Sequence, residues 1–265
     1  MNISDFTSKF FLSFSNDIIL VPLIVTGFIC LDKRKYGQAF ILLLFTMIFC
    51  RILKEYFAIP LNPALKIEGF AFPSGHMQSA VVFYGWLFLY SNKIVRACCI
   101  ILLCGIGYGL IQQGYHNISD VGAAVGFGLL TIIIFYNLSR LEFFEKFPYL
   151  LGWITIPIAF ALMFYSDCIK LIPPHLWLAF YALIGFTLSW TIFSDKISRS
   201  FKIHEKISSL LLAFIGIGSI YYFLPTFHRT LPDYLQVEWL LAGFIIPLSV
   251  YLSKYLCRAK NEQFK

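Results

Sequence analysis

Two histidines and one aspartate stand out because of their neighbours and their spacing. His76 ends a Phe-Pro-Ser-Gly-His sequence, and Asp120 follows His116 by four residues. Residues four apart lie on one face of a helix, so the carboxylate of Asp120 can accept a hydrogen bond from one ring nitrogen of His116 and leave the other nitrogen basic. This arrangement prepares an imidazole for nucleophilic attack. The alternative is a capping interaction, in which Asp120 or a neighbour caps the helix that follows and His116 is merely interfacial.

The turn before His76 is suited to binding an anion. Proline is favoured at the first position of a helix, so we expect a helix to begin at Pro73. The unpaired N–H groups of its first turn and the positive end of its dipole attract anions. Gly75 allows the backbone to approach a ligand closely. By itself, Pro-Ser-Gly-His is only a moderately specific signal.

The composition identifies the class of protein that carries these motifs. Of the 265 residues, 59% are hydrophobic and 13% are charged, which leaves too little polar surface for a soluble protein of this size. A formal net charge of +7 is compatible with a nucleic-acid partner, but basic residues in an apolar chain more often flank membrane spans. The sequence therefore predicts an integral membrane protein with no nucleic-acid partner.

Nine segments are apolar enough to be membrane helices, which need roughly 20 mainly apolar residues. They are residues 17–31, 38–59, 73–91, 95–115, 120–139, 148–166, 176–194, 207–224 and 237–253. The predicted fold is all-α, a polytopic transmembrane helical bundle with about nine spans.

The basic residues predict the orientation of these spans. Of the 21 Lys and Arg residues, fifteen fall in one set of alternate connections, four in the other and two within the second span. Because cytoplasmic connections carry the excess of Lys and Arg, we expect the N-terminus outside and the C-terminus inside. His76 and His116 then face outward on the same side of the membrane.

Charged residues near the outer end of the second predicted span also suggest a site. Arg51, Lys54 and Glu55 lie at a depth where charges are uncommon and tend to mark a site or an internal ion pair. The alternative is that Arg51 and Lys54 extend to the headgroups at the membrane surface.

The residues around the two histidines resemble a known family. Phe-Pro-Ser-Gly-His-Met at 72–77, followed about 40 residues later by Gly-Tyr-His-Asn-Ile-Ser-Asp at 114–120, is similar to the type-2 phosphatidic acid phosphatase superfamily of membrane lipid phosphatases. Lys54 is placed like the lysine of the family's first signature. The resemblance covers residues 17–139, which is about half of the chain.

The chain departs from the family pattern at two arginines. Leu61-Asn62 stand where the family has Arg-Pro, and Gly109-Leu110 stand where it has Ser-Arg. In the family pattern these arginines clamp phosphate oxygens, which a guanidinium does well because it donates two parallel hydrogen bonds. The candidate substitutes in this chain are Lys54, Arg51, Lys66, Gln112 and Gln113.

The resemblance implies a two-step phosphoryl transfer. His116, oriented by Asp120, attacks phosphorus and forms a phosphohistidine, while His76 protonates the departing lipid oxygen. Water then attacks the phosphohistidine, with His76 acting as the base.

The resemblance also implies which groups hold the phosphate. Lys54 and the backbone N–H groups around Ser74 and Gly75 are expected to bind its oxygens. No metal or other cofactor is required, and the lack of further carboxylates makes metal binding by the two histidines and Asp120 the weaker interpretation.

The expected function is hydrolysis of a lipid phosphate or diphosphate, with the lipid in the bilayer as the substrate. The expected location is a bacterial cytoplasmic membrane, with the site facing the outside or the periplasm. One alternative is a phosphotransferase that moves the phosphoryl group to a lipid or sugar acceptor. Another is a lipid-binding membrane protein whose catalysis is weakened by the loss of the arginines.

The chain is expected to have three parts. Residues 1–16 suggest a short interfacial segment because Phe10, Phe11 and Phe14 have helical spacing, although a frayed terminus fits equally well. Residues 17–139 form the lipid-phosphatase-like core. Residues 140–265 add transmembrane helices of unknown role.

Overall fold

The computed structural model describes residues 3–61, 63, 69–167, 173–197, 201–227 and 238–263. Within this part of the chain the protein is all-helical and has no strand, which confirms the predicted fold class. The helices are α1 (Ile3–Ser13), α2 (Asp17–Cys30), α3 (Lys33–Phe57), α4 (Gly75–Leu89), α5 (Lys93–Gln112), α6 (Ile118–Ser139), α7 (Glu142–Lys146), α8 (Leu150–Asp167), α9 (Pro174–Ile197), α10 (Ile203–Phe227) and α11 (Trp239–Gln263).

The nine predicted apolar segments coincide with nine of these helices, α2 to α6 and α8 to α11, although several helices extend beyond the predicted limits. Within the described residues, six helices are long and apolar enough to cross a membrane, namely α3, α5, α6, α9, α10 and α11. Helices α1 and α2 together pass the same test as one span bent by 44°. The chain therefore contains several helices of membrane-spanning length, whereas nine spans and their orientation stay predictions.

Helix α3 is the central helix of the bundle. It contacts α2, α4, α6, α8 and α9, and its side chains Ile41, Leu42 and Ile48 are completely or almost completely buried. The indole Nε1 of Trp86 on α4 donates a hydrogen bond of 3.0 Å to the carbonyl of Lys35 on α3. This hydrogen bond fixes the first turn of α3 relative to the last turn of α4.

Helix α1 packs against α5 along a row of glycines. Gly105 faces the ring of Phe11, and a Cβ atom at Gly109 would lie 2.9 Å from Leu12 Cγ and 2.9 Å from the backbone oxygen of Ser8. Such small residues let two helix backbones approach closely. The N-terminal segment is thus a helix seated on α5.

Helix α9 is held in place mainly by α11. At the crossing, Gly185 of α9 faces the backbone of Leu240, and Gly243 of α11 faces the backbone of Ala182, so neither glycine has room for a Cβ atom. This close contact positions the N-terminal end of α9, where His175 lies.

Candidate active site

Two cavities share a polar centre at one end of the bundle. The main cavity has a volume of about 580 Å³, and the second has a volume of about 540 Å³. Both are lined by Lys54, His76 and His116, together with Ser15 and Asn16 from the bend between α1 and α2. The two histidines therefore lie at the same end of the bundle, whereas the outward orientation of this end stays a prediction.

His116 lies in the turn between α5 and α6, and Asp120 lies in the first turn of α6. Nδ1 of His116 is 3.4 Å from Oδ2 of Asp120, and both side chains are more than nine-tenths buried. The contact between Nδ1 and Oδ2 does not have the geometry of a hydrogen bond. Nδ1 has no other hydrogen-bond partner in the described part of the protein. The same Oδ2 accepts a hydrogen bond of 2.9 Å from the backbone N–H of Asn117. Asp120 thus caps its own helix and also lies beside the imidazole.

The surroundings of His116 favour its neutral form. Burial lowers the pKa of His116 below its usual value of 6.5, and the charge of Lys54 lowers it further, while Asp120 acts in the opposite direction. A neutral imidazole with Nδ1 against a carboxylate presents Nε2 as its basic atom. This is the state that a nucleophilic histidine needs.

The turn that ends in His76 is tied to the turn that carries Asp120. The backbone N–H of Ser74 donates a hydrogen bond of 3.2 Å to the carbonyl of Asp120. The hydroxyl of Ser74 caps α4 by accepting from the N–H of Met77 at 3.5 Å. Ser74 is fully buried and does not line either of the two cavities, whereas Gly75 lines the main one. Ser74 therefore joins the two motifs, and the phosphate-binding role expected for it stays a prediction.

The start of α4 differs from the prediction. The helix begins at Gly75 with Ser74 as its N-cap, and the Phe72–Pro73 peptide bond is cis, so Pro73 precedes the helix. His76, the second residue of α4, is exposed to the cavity. The backbone N–H groups of Gly75 and His76 are at positions that have no partner within a helix, and they are available to an anion.

Lys54 lies opposite the start of α4. Its Nζ donates a hydrogen bond of 2.7 Å to the carbonyl of Phe70, and a Cβ atom on Gly75 would be 4.0 Å from its Cε. An ammonium group has three donors, so two remain for a ligand. Lys54 is therefore placed to bind a phosphate that also contacts the first turn of α4.

Arg51 also lines the main cavity, one helical turn before Lys54. Its Nε donates a hydrogen bond of 2.8 Å to Oε1 of Glu55, a side chain that is only 1% exposed. The hydroxyl of Ser166 on α8 donates to Oε2 of the same carboxylate. Arg51 is therefore internally paired, as one interpretation of the sequence predicted, and its terminal nitrogens make no hydrogen bond to the described residues.

The remaining predicted substitutes for the arginines are placed differently. Gln113 donates a hydrogen bond of 2.8 Å from Nε2 to Asp5, so it holds α1 onto the end of α5. Gln112 is exposed and lines neither of the two cavities. Lys66 lies outside the described residues. The structure thus does not bring either glutamine to the cavity centre.

The two positions where the family has arginines are now apolar. Leu61 lines both cavities, and Asn62 lies outside the described residues. Leu110 is 2% exposed, and the neighbouring Gly109 is covered by Leu12 of α1. Helix α1 therefore packs at the point where the family pattern has Ser-Arg.

Several residues of the cavity walls were not predicted as site residues, among them one aspartate, one histidine and one lysine. Asp17, in the first turn of α2, and His175, near the start of α9, line the main cavity. Lys9 of α1 lines the second cavity and forms an ion pair of 3.0 Å with Asp5. No motif marks any of the three residues in the sequence. It contains no local signal that these segments meet.

The arrangement does not suggest a metal centre. Among the described residues, no group of three His, Cys, Asp or Glu side chains is placed to hold a metal ion. The chemistry available is that of two imidazoles, a carboxylate, a lysine and a helix N-terminus, which together suit phosphoryl transfer.

Residues 35–144 match the family model described as the PAP2 superfamily. This stretch includes Lys54, His76, His116 and Asp120, so the match covers the centre of the site. Comparisons with curated proteins and with solved structures found no match.

Proposed function

We propose that this protein hydrolyses a lipid phosphate at the outer face of a membrane, because residues 35–144 match the model of the PAP2 superfamily, a family of phosphatases and phosphotransferases. The observation that carries the proposal is the convergence of His76, His116 and Lys54 on one cavity, with Asp120 beside His116. The basic residues of the inner connections support the outward orientation. A bacterial cytoplasmic membrane is the expected location.

The first chemical step is attack by Nε2 of His116 on phosphorus. The new P–N bond forms as the bond between phosphorus and the lipid oxygen breaks, and His76 gives its proton to that oxygen. Lys54 and the N–H groups of Gly75 and His76 stabilise the charge on the phosphoryl oxygens. Asp120 stabilises the positive charge that the ring of His116 acquires.

The second step returns the enzyme to its starting state. A water molecule attacks phosphorus, His76 takes the proton of that water, and the P–N bond to His116 breaks. Inorganic phosphate leaves, and both histidines regain their initial protonation. The atoms and charges of the two steps balance without an external oxidant, reductant or metal.

The absence of the two family arginines has a predictable consequence. A bidentate arginine binds phosphate more strongly than a single ammonium group, so the site relies on Lys54 and backbone donors. Arg51, one helical turn before Lys54, can add a positive charge near the phosphate, although its Nε is hydrogen-bonded to Glu55. We expect slower turnover than the full family pattern provides.

The test is phosphate release by the purified protein in detergent from a panel of lipid phosphates. Release by the wild type and its loss in His116→Ala would support hydrolysis. The matched control is His204→Ala, an exposed histidine in the first turn of α10. Release that requires an added acceptor lipid, with the phosphate found on that acceptor, would instead establish a phosphotransferase. Binding without release, unchanged in His116→Ala, would contradict both activities.

A further inference from the structure

The main cavity is much larger than the group that reacts in it. Its volume of about 580 Å³ lies within the range of roughly 300–1,000 Å³ that accommodates a whole small-molecule ligand, whereas a phosphate group has only five heavy atoms. Apart from the residues proposed to react, the lining of the main cavity includes Asn16, Asp17, Arg51 and His175, which we call the distal wall. The part of the substrate that carries the phosphate and fills this cavity would contact the distal wall.

The polarity of the distal wall argues against a hydrocarbon chain. Asn16, Asp17 and His175 are all exposed in this structure, and Arg51 retains a side chain exposure of 20%. Covering such groups with an acyl chain would remove their water without replacing its hydrogen bonds. The occupant is therefore a polar group.

The charge of the distal wall argues against a second phosphate. The positive charge of Arg51 is balanced by Glu55, to which it is paired at 2.8 Å. Asp17 forms no ion pair with any described residue, so the distal wall and Glu55 together have a formal charge of −1 when His175 is counted as neutral. A second phosphate would lie against this carboxylate, and like charges repel more strongly where water is partly excluded.

The donors and acceptors of the distal wall match hydroxyl groups. A hydroxyl both donates and accepts, so it needs a wall that offers both. The carboxylate of Asp17 accepts, the terminal nitrogens of Arg51 donate, and the amide of Asn16 does both. Asp17, Arg51 and His175 all line the main cavity, so the three groups surround one space.

The geometry points to a subsite for a sugar ring, and we infer that the substrate is a glycolipid whose sugar carries the phosphate. This inference rests on the proposed function and specifies its substrate class. The sugar lies against the distal wall, and its phosphate lies between Lys54, Gly75 and His116. His76 then gives its proton to the sugar oxygen as the bond between that oxygen and phosphorus breaks.

The wall is held rigidly enough to discriminate among headgroups. The hydroxyl of Tyr84 donates a hydrogen bond of 2.9 Å to the carbonyl of Phe14, which fixes the bend before Asn16 and Asp17. The contact of Ser166 with Glu55 holds the side of α3 that carries Arg51 against α8. A preorganised wall loses little entropy when it binds its ligand.

The first experiment compares three substrates in detergent: an N-acylated glucosamine 1-phosphate, dioleoyl phosphatidic acid and farnesyl diphosphate. We expect the highest kcat/KM for the glucosamine lipid. Asp17→Asn and His175→Gln should each lower the ratio of kcat/KM for this substrate over phosphatidic acid by about tenfold, because a hydrogen bond to the sugar is weakened or lost. Asp195→Asn and His204→Gln, which alter exposed residues away from the cavity, should leave the ratio unchanged.

Two results would overturn the inference. One is an unchanged ratio in both Asp17→Asn and His175→Gln while phosphatidic acid is still hydrolysed. The other is a preference for farnesyl diphosphate that disappears in the double variant Arg51→Gln with Glu55→Gln, which would assign the wall to a second phosphate. The double variant avoids leaving the buried carboxylate of Glu55 unpaired.

A binding measurement separates this inference from the proposed hydrolysis. In the His116→Ala background, which lacks the nucleophile, we expect binding of the glucosamine phosphate lipid and about tenfold weaker binding when Asp17→Asn is added. This result would support the sugar subsite even if no substrate is turned over, in which case only the proposed hydrolysis fails. Equal binding by the two proteins would overturn the subsite.

Discussion

The two sides of the main cavity share α3, which carries both Lys54 and Arg51, but otherwise come from different parts of the chain. The reacting side consists of Lys54, His76 and His116, all within the part that matches the family model. On the distal wall, Asp17 and His175 lie outside that part, one near each end of the match. In the proposed function, a family motif supplies the reaction, whereas the helices around it supply the surface that we infer to contact the rest of the substrate.

The largest difference between the two sides should appear when one histidine is removed from each. His116→Ala removes the nucleophile and should lower kcat/KM by at least about a thousandfold. His175→Ala removes only contacts to the headgroup and should lower it by about tenfold or less. Both are measured as phosphate release from the best substrate of the panel. Similar losses in the two variants would show that the two sides do not have separate roles.

The second largest effect should come from Lys54, the cation of the reacting side. Lys54→Met removes a charged donor to the phosphoryl group and should lower kcat by about a hundredfold, as is typical for the loss of one such donor. The same substitution also removes the hydrogen bond to the carbonyl of Phe70, so it needs a control. Lys54→Arg should recover much of the activity, and equal inactivity of both variants would indicate a structural role.

These two sides also differ in how far they could be predicted. His76, His116 and Asp120 are recognisable because their chemistry follows from short, local spacing within two motifs. Asp17 and His175 are separated by 158 positions and become neighbours only through the lateral order of the helices, which hydropathy does not reveal. Periodicity predicts that a segment is a helix of membrane length, but not which helices pack side by side.

Local contacts occupy two of the polar residues that the sequence suggested as phosphate ligands. Ser74 was expected to hold phosphate, yet its N–H bonds to Asp120 and its hydroxyl caps α4. Gln113 was a candidate phosphate ligand, but it bonds to Asp5 because α1 packs on α5. In both cases a polar group with no evident partner in the sequence forms a hydrogen bond with a residue of a neighbouring segment.

The pH dependence of activity tests the electrostatics of the reacting side. Because burial and Lys54 lower the pKa of His116, the neutral nucleophile persists to lower pH, and the acid limb of kcat/KM should lie below pH 6.5. Lys54→Met removes one cause of the lowering, so the acid limb should move to higher pH. The profile of phosphate release against pH measures both. An acid limb that moves to lower pH in this variant would contradict the account.

The smallest effect concerns α1, which covers the position of a missing arginine. Gly109→Ala would place a Cβ atom 2.9 Å from Leu12 Cγ and the backbone of Ser8, so α1 must shift. We expect a loss of about 1–2 kcal/mol in the free energy of unfolding, seen as a lower melting temperature in detergent. The matched control is Gly122→Ala on α6, where nothing lies within 4 Å of the new atom. Equal melting temperatures of the two variants would show that α1 is not seated on α5.

The most direct test of the central claim is to find the covalent intermediate. The His76→Ala variant is mixed with an aryl phosphate, whose leaving group needs no proton, and the reaction is stopped in alkali, which preserves phosphohistidine. Peptide mass spectrometry then locates the phosphate. We predict phosphate on His116, because its Nε2 is the attacking atom and the second step lacks its base. Continued release of phosphate with no label on His116, or with the label on another residue, would contradict the account.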